Sequence, residues 1–391
     1  MFTVKYDIAI CGGGIAGCAA ALAAARRGVK TVLLEKTIMP GGLATGGLVL
    51  VYLPLCDGCG KQVTFGLAEE LMRAANQYGP ADIPADWRTG RLEVYFSPAS
   101  YVLALDELLT AAGVDIWLDT QIIGSAVEGD RLKAVTVANK SGLGTIEAEV
   151  FVDGTGDADV AHFSGHDCLR GDNAMVSWFI EHREARNSSE YVFGEHVSTR
   201  IMAAGIDSHD TPPGVDGRTV SEFVLEGRRR YRLELQQEYA AGTADRKTRY
   251  PLSVPSVPPL RHTRCIRGKT VLQPGADGLP AVDSIGLAAD WRCRGKVWEI
   301  PFSTMLPADI TGLIAAGRCV SAQGDAWEIT RVIPVAAMTG EVAGVAAALA
   351  VTQHTPPHRL PYETVAAELR RSGFPLKFAE AGLEYAMRGT V

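Results

Sequence analysis

The sequence lacks any apolar run of the roughly 18 or more residues that a membrane-spanning helix needs, so we expect no segment to cross a bilayer. Residues 1–7 carry no basic stretch ahead of the first glycine cluster, which argues against a signal peptide. Only eight of the 391 residues are cysteine. That is too few for a disulfide-stapled secreted scaffold, and we expect a reducing compartment, the cytoplasm.

Basic residues are outnumbered by acidic ones, 38 to 45. The net charge of −7 leaves no overall basic field that would attract nucleic acid or an anionic membrane. The one dense basic run, residues 228–232, falls in a predicted polar helix over residues 220–239 that also carries four glutamates. This spacing predicts a solvated helix face with ion pairs between neighbouring turns.

Glycine, by contrast, is abundant: the chain has 42, many of them in clusters. Clustered glycine is typical of backbone that approaches a ligand closely. The length exceeds what one simple core usually supports, so we expect two domains. No repeat at a fixed period is visible.

The beginning of the chain predicts a strand, a glycine-rich turn, a helix and a second strand. Residues 6–11 (YDIAIC) and 31–35 (TVLLE) are short apolar runs typical of buried parallel strands. Residues 15–27 predict an alanine-rich helix that ends at Gly28. Together they form one right-handed βαβ unit.

The turn of this unit has the spacing Gly12-x-Gly14-x-x-Gly17. In this context the first glycine makes the tight turn, the second lets the backbone approach a pyrophosphate, and the third lets helix and strand pack closely. The helix N-terminus adds free N–H groups and a positive dipole end. Glu35 ends the second strand, where its carboxylate can accept hydrogen bonds from ribose hydroxyls. A carboxylate at this position argues against NADP but does not distinguish FAD from NAD. The unit therefore predicts a dinucleotide site.

Later segments return to the same predicted sheet. We predict helices over residues 63–78, 98–112 and 332–351, a β meander over 114–152 whose last residues (149–153) rejoin the parallel strands, and a further buried strand over 313–316. The pattern fades between residues 169 and 284, where the proline-rich residues 250–259 predict an extended connector. We therefore predict an α/β fold. Residues 1–168 and 285–391 form a Rossmann-like domain with a parallel sheet, helices and a β meander, and residues 169–284 form an inserted α+β substrate domain.

Four further segments carry a resemblance: GGLATGG at residues 41–47, GTGD at 154–157, GRC at 317–319 and RVIP at 331–334. In this order they resemble the FAD-dependent oxidoreductases of the two-dinucleotide-binding-motif group, within which the pattern GG-x-AT-x-G, DGTGDAD, AGR and RVxP is most similar. Fumarate reductase flavoproteins are more distantly similar. The resemblance implies FAD as the cofactor and covers nearly the whole chain.

The resemblance also implies which residues bind FAD. The pyrophosphate would lie at the glycine turn and the helix that follows it, the ribose at the end of the second strand, the adenine beside the backbone after residue 120, and the flavin near the loop at residues 41–47 and the last long helix. The cofactor-binding residues implied are Gly12, Gly14, Ile15, Ala16, Gly17, Glu35, Lys36, Gly42, Leu43, Ala44, Thr45, Ile122, Gly156, Asp157, Gly317, Arg318, Val332 and Ile333.

Residues 332 and 333 also have an independent physical rationale. A helix that starts at Pro334 would point their N–H groups and its positive dipole end at the N1 and O2 atoms of reduced flavin, which carry negative charge. The small residues of this helix equally suit an ordinary helix packed closely on a sheet.

The candidate catalytic residues are Arg261, His262, Arg264 and Arg331. Either arginine of the R-H-x-R segment could anchor a carboxylate, and His262 could move a proton during hydride transfer. Arg331, with Glu328, precedes the last long helix and could reach the flavin ring. Each of these side chains could equally form a structural ion pair.

Cys56 and Cys59 form a C-x-x-C in the long loop after the second strand, and could be a redox pair or an incidental one. No second C-x-x-C completes a zinc site, and we predict no metal.

The leading functional hypothesis is hydride transfer between flavin N5 and a small organic substrate, in either direction, and Arg261 and Arg264 favour an acidic one. Only one complete dinucleotide fingerprint is present, so we expect no separate NAD(P)H domain and consider oxygen, quinone or a protein as electron partner. The alternative is an electron-relay flavoprotein subunit of a larger redox complex. A flavin-dependent RNA-modifying protein is disfavoured by the acidic charge. A homo-oligomer is possible.

Overall fold

A computed structural model describes residues 1–79, 82–173, 176–184, 195–203 and 214–383. Parts of the predicted inserted domain (169–284) and the end of the predicted C-terminal region therefore lie outside the described residues.

Strands and short and long helices alternate through most of the described chain. The strands are β1 (Phe2–Cys11), β2 (Thr31–Leu34), β3 (Val51–Tyr52), β4 (Val94–Tyr95), β5 (Asp115–Trp117), β6 (Gln121–Glu128), β7 (Arg131–Asn139), β8 (Gly142–Asp153), β9 (Cys168–Arg170), β10 (Val176–Arg183), β11 (Val197–Ala203), β12 (Arg249–Ser253), β13 (Arg264–Ile266), β14 (Ser284–Ala289), β15 (Val297–Pro301) and β16 (Leu313–Ala315). The α-helices are α1 (Ile15–Ala25), α2 (Leu67–Ala74), α3 (Pro98–Ala111), α4 (Asp159–Phe163), α5 (Gly217–Ala241), α6 (Gly324–Thr330), α7 (Ile333–Thr352) and α8 (Tyr362–Arg371). Short 3₁₀ turns cover Gly42–Ala44, Trp87–Thr89, Phe302–Met305, Gly317–Cys319 and Pro357–Arg359.

The centre of the fold is a sheet whose parallel strands run in the order β5-β2-β1-β8-β16. The long strand β8 has two partners on the same side of β1. Its first half pairs antiparallel with β7 of the β6–β7 hairpin, and its last three residues pair in parallel with β16. The predicted βαβ unit, meander and returning strand are thus confirmed. One assignment was wrong: β5 does not belong to the meander, because it pairs in parallel with β2.

Helices α1 and α7 cover one face of this sheet and pack against each other at backbone distance. Any side chain at Gly340 would place its Cβ 2.1 Å from the carbonyl oxygen of Ala16, and one at Gly344 would come within 2.3 Å of that of Ala20. Only glycine permits this approach. The close packing brings the N-termini of α1 and α7 together beside the carboxyl ends of the parallel strands.

Helix α7 is long and apolar enough, by length and composition, to cross a membrane. We expected no membrane-spanning segment, because the sequence has no uninterrupted apolar run of that length; in α7 the run is broken by Thr339 and Glu341. Within the fold, 83% of its most apolar window is buried inside the protein. That environment is the one expected of the central helix of a core.

Residues of the predicted insertion form a three-stranded antiparallel sheet, β11-β10-β12, with α5 against it. Phe179 stacks on Tyr231 at 4.3 Å between ring centroids, inside a small core that also includes Met202 and Leu235. The predicted connector over residues 250–259 is only partly correct, because its first residues form the edge strand β12, where Pro251 is tolerated.

The predicted solvated helix face is confirmed in its first half and wrong in its second. Arg229 and Arg230 both pair with Glu226 on the surface of α5. Glu234 and Glu238 instead face β12, where they pair with Arg249, which is 1% exposed. Periodicity could not reveal this, because the buried cation comes from another element.

Candidate active site

A cleft opens where the parallel strands end, with an empty volume of about 1160 Å³ that includes its mouth. It is lined by Gly12, Gly14, Ile15, Ala16, Leu34, Glu35, Lys36, Gly41, Gly42, Leu43, Ala44, Thr120, Gln121, Ile122, Gly154, Thr155, Gly156, Asp157, Asp159, Val257, Pro258, Leu260, Ala316, Gly317, Arg318, Arg331, Ile333 and Ala336. Of the predicted cofactor residues, all but Gly17, Thr45 and Val332 are in this lining.

The three glycines of the Gly12-x-Gly14-x-x-Gly17 turn differ in why glycine occupies the position. Gly12 has a φ of +97°, and a Cβ there would lie 2.6 Å from the carbonyl oxygen of Gly154. A Cβ on Gly17 would lie 1.8 Å from the carbonyl oxygen of Gly12, so Gly17 serves helix–strand packing. Gly14 has an ordinary φ of −65° and would meet nothing nearer than Gly154 O at 3.8 Å. The fold does not require glycine at position 14, and the open space beside it is available to a ligand in the cleft.

Glu35 is buried at the carboxyl end of β2 and lines the cleft. Its two carboxylate oxygens accept hydrogen bonds from Gly13 N (2.7 Å) and Thr37 N (2.8 Å). These bonds fix the carboxylate beside the glycine turn, and a carboxylate has further lone pairs for hydroxyl donors. Lys36 and Ile122 lie on the same wall.

The loop at residues 41–47 forms a second wall. Gly41 has a φ of +101° and donates from its N–H to Gly13 O at 2.7 Å, which ties this loop to the first glycine turn. Gly42, Leu43 and Ala44 line the cleft. Thr45 does not line the cleft, because its buried hydroxyl donates a hydrogen bond to Pro40 O at 2.6 Å and so stabilises the loop.

The third wall comes from the segment after β16 and the start of α7. Gly317, with a φ of +64°, lies so close to α1 that a Cβ would be 2.9 Å from that of Ala16. Its N–H donates to the hydroxyl of Thr339 at 3.0 Å. Ile333 and Ala336 line the cleft beside it, whereas Val332 is the buried N-cap of α7. The N-termini of two long helices therefore face one cavity.

Acidic residues cluster at the end of β8. Asp153 is fully buried and accepts from Thr155 N and Ala161 N, and burial raises the pKa of its carboxyl group. Burial, followed by the charges of Asp157 and Asp153, raises the pKa of Asp159 to about 6. Asp159 lines the cleft and pairs with Arg264 at 2.5 Å.

The predicted catalytic residues separate into two places. Arg264 is 7% exposed, and its guanidinium is occupied by Asp159 and by the carbonyl oxygen of Asp157 at 3.0 Å. The other three come together with Glu328 in what we call the charged cluster: Arg261, His262, Glu328 and Arg331.

Within the charged cluster, Glu328 is the shared anion. One of its oxygens pairs with Arg331, and the other lies 3.0 Å from His262 Nε2. Although burial opposes it, the hydrogen bond with His262 and the positive charge of Arg331 hold the pKa of Glu328 well below its usual range. The His262 ring also contacts Trp327, with Nδ1 3.2 Å from the carbonyl oxygen of Asp172. Of the cluster, only Arg331 lines the cleft itself.

Several lining residues are not among those predicted from the sequence. Thr120 and Gln121 adjoin the predicted Ile122, and Gly154 and Thr155 adjoin Gly156, so their neighbourhood in sequence was the available signal. Val257, Pro258 and Leu260 gave no signal, because they reach the cleft from the far side of the predicted insertion.

The C-x-x-C pair does not have the environment of a redox centre. Cys56 is buried with its thiol facing Trp87 O, and burial raises its pKa to about 11, whereas Cys59 is exposed. Both are free thiols. Across the described part of the chain, no group of three or more histidine, cysteine or acidic side chains is placed to hold a metal ion.

The cleft fits a dinucleotide in three respects. The N-terminus of α1 supplies N–H groups and a positive dipole end for a pyrophosphate, and the N-terminus of α7 faces the same cleft. The open position at Gly14 leaves room for close approach of that group, and Glu35 is fixed where a ribose would meet it.

Known proteins match parts of this chain. A digeranylgeranylglycerophospholipid reductase of Picrophilus torridus is 27% identical over 158 residues, 38% of each chain. A tRNA uridine 5-carboxymethylaminomethyl modification enzyme of Protochlamydia amoebophila is 36% identical over 91 residues, 20% of this chain and 14% of that one. The chain thus matches well under half the length of these relatives.

A geranylgeranyl bacteriochlorophyll reductase-like structure from Thermoplasma acidophilum has the same fold, with a TM-score of 0.53, 14% identity, and coverage of 95% of this chain and 84% of that one. The family model described as FAD dependent oxidoreductase matches residues 7–178 and 279–369, which is more than half of the chain. The protein is a flavoenzyme that binds FAD, and the chain belongs to the FAD dependent oxidoreductase family.

Proposed function

We propose that the protein transfers a hydride between the flavin of FAD and a small organic acid, held between the cleft and the domain formed by residues 169–284. Bound FAD supplies the hydride acceptor or donor. The observation that carries the proposal is the position of the charged cluster: Arg331 both belongs to it and lines the cleft beside Ile333, so cluster and cofactor site are continuous.

Arg261 is the side chain best suited to bind the acid. Arg331 is already paired with Glu328, and Arg264 is occupied elsewhere. Among the described residues, no carboxylate pairs with the Arg261 guanidinium. Burial and the positive charge of Arg331 lower its pKa, and Glu328 offsets this only in part. A substrate carboxylate would supply the missing charge through charge-assisted hydrogen bonds.

His262 is the group that would move the accompanying proton. Its imidazole lies between the Glu328 carboxylate and the carbonyl oxygen of Asp172, which orient the ring. An imidazole can give or take a proton near neutral pH, which is the property this role needs. Substituting His262 by alanine should therefore lower the rate of hydride transfer, followed as the change in flavin absorbance, without changing substrate affinity.

The relative from Picrophilus torridus is a reductase, which favours reduction of the organic substrate as the direction. The cytoplasm remains our proposed location, supported by eight cysteines that are all free thiols.

The test is anaerobic stopped-flow measurement of flavin absorbance against a panel of small carboxylic acids and their amides. For an acid that reacts, we expect Arg261→Met to raise the half-saturating concentration roughly 10-fold to 100-fold, the loss expected for a hydrogen bond to a charged group. The amide of the same acid should be affected much less. The exposed Arg246 provides the matched control, since Arg246→Met removes a guanidinium that does not line the cleft.

His262→Ala should slow the limiting rate about 10²-fold or more. Equal half-saturation for Arg261→Met and the natural protein would refute the anchoring role, and an unchanged limiting rate for His262→Ala would refute the proton role. If only a protein partner changed the flavin absorbance, the electron-relay alternative would replace the proposal.

A further inference from the structure

A proline-rich segment from the far side of the insertion reaches the cofactor cleft. It leaves the edge strand β12, covers residues 254–260, and is here called the strap. Val257, Pro258 and Leu260 of the strap line the cleft together with the glycine loops. The strap lies outside the stretches that match the family, residues 7–178 and 279–369.

The strap is fastened to both halves of the cofactor-binding region. The carbonyl oxygen of Gly46 accepts hydrogen bonds from Ser256 N (2.8 Å) and Val257 N (3.1 Å). At the other end, the guanidinium of Arg318 donates to the carbonyl oxygen of Leu260. Gly46 belongs to the loop at residues 41–47 and Arg318 to the segment after β16, so the strap bridges two walls of one cavity.

The strap is also anchored in the insertion. Leu260 is 3% exposed and packs with Phe223 of α5. Val257 and Pro258, which precede it, are only half-buried and leave apolar surface facing the cleft. A ligand that fills the cleft would cover that surface, and burial of apolar surface stabilises a complex.

The strap packs so closely against Gly46 that it leaves no room for a side chain at that position. A Cβ at Gly46 would lie 2.8 Å from Cγ2 of Val257 and 3.0 Å from the hydroxyl oxygen of Ser256. The φ of Gly46 is not in the left-handed region, so the backbone itself would accept another residue. A small substitution at this position therefore pushes on the strap without straining the loop.

We propose that the strap is a further wall of the FAD site that holds the cofactor in the cleft and sets the rate at which FAD leaves. Release of FAD requires the two backbone hydrogen bonds at Gly46 to break, and the strap links cofactor retention to the position of the inserted residues through Leu260. The apolar faces of Val257 and Pro258 contact the bound cofactor.

The experiment measures FAD dissociation from the holoprotein, as the rise of free flavin fluorescence after dilution. We expect Gly46→Ala to speed dissociation roughly 10-fold, the factor expected from losing one or two backbone hydrogen bonds. Val257→Ala removes part of the wall without touching the loop, and should speed dissociation a few-fold. Val254→Ala, on the same strap but exposed, is the matched control and should leave the rate unchanged.

The double variant Gly46→Ala/Val257→Ala separates the strap from the loop. Val257→Ala removes the nearer of the two strap atoms that the new Cβ at position 46 would meet and leaves the Ser256 hydroxyl, so Gly46→Ala should have a smaller effect in that background. An equal effect in both backgrounds would assign the change to the loop alone and overturn the proposal. Dissociation of FAD from Val257→Ala at the natural rate would also overturn the proposal. Circular dichroism of each apoprotein establishes that the variants fold. These outcomes do not depend on the proposed substrate.

Discussion

The second fingerprint glycine offers the sharpest test of the cofactor site, through Gly14→Val. The variant should fold, because a Cβ at this position meets only Gly154 O, at 3.8 Å, and the φ of −65° suits any residue. The added side chain would instead project into the space where a pyrophosphate approaches the first N–H groups of α1. The loss should therefore fall on cofactor binding and not on stability.

The magnitude follows from the hydrogen bonds at the start of α1. Ile15 and Ala16 line the cleft there. Hydrogen bonds to a charged group contribute about 1.5–3 kcal/mol each. Losing two of them would weaken FAD binding by about 3–6 kcal/mol, or roughly 10² to 10⁴ in the dissociation constant.

The assay is titration of the apoprotein with FAD, followed by the change in flavin fluorescence, together with thermal unfolding of the apoprotein. Gly90→Val is the matched control, because a Cβ there meets no atom within 4 Å and the site lies away from the cleft. Gly17→Ala provides the contrast: its Cβ would lie 1.8 Å from Gly12 O, so this variant should fail to fold. An FAD affinity for Gly14→Val within about threefold of the natural protein, a difference well under 1 kcal/mol, would refute the assignment.

Two further predictions concern stability. Burial raises the pKa of Glu341 to about 7, so the folded state holds a proton that the unfolded chain releases above about 4.5, and the free energy of unfolding should fall as pH rises between these values. At roughly 1.4 kcal/mol per pH unit this decrease amounts to at most about 3 kcal/mol. Glu341→Gln keeps an acceptor for Leu67 N, and its free energy of unfolding, measured with urea at pH 5 and pH 8, should not show the decrease. The same pH dependence in the variant and the natural protein would contradict the assignment. Arg249→Met should leave the fully buried Glu181 without its principal cation and lower stability by up to about 3–5 kcal/mol, with FAD affinity kept. An unchanged melting temperature relative to the exposed control Arg246→Met would contradict it.

Several parts of the fold could be predicted because their causes are local in sequence. The strand, turn and helix at the beginning need only apolar periodicity and glycines at set spacing, and the structure places β1, α1 and β2 as expected. The same holds for α7, whose bounds differ from the prediction by one residue at each end. Assignments that depended on a partner strand were weaker: β5 looked like part of the meander until its pairing with β2 was known.

The site residues divide in the same way. Most of the predicted cofactor residues line one cleft, because each lies next to a strand end or helix start that the sequence pattern already marks. Arg261 and Arg264 could not be told apart by sequence, since both follow the same pattern; only the position of Asp159 shows which guanidinium is already paired. The roles of the charged cluster stay predictions until the variants are measured.

The sequence by itself determined a dinucleotide site through the glycines and Glu35, because backbone conformation and helix N-termini are local properties, and the resemblance of the later segments implied FAD. The tertiary structure alone decided which distant segments complete the cleft. The strap and the charged cluster come from residues far apart in the chain, and their contacts depend on packing between elements that no sequence spacing encodes. The glycines at the turn begin the site, and the strap is one of the distant segments that line it.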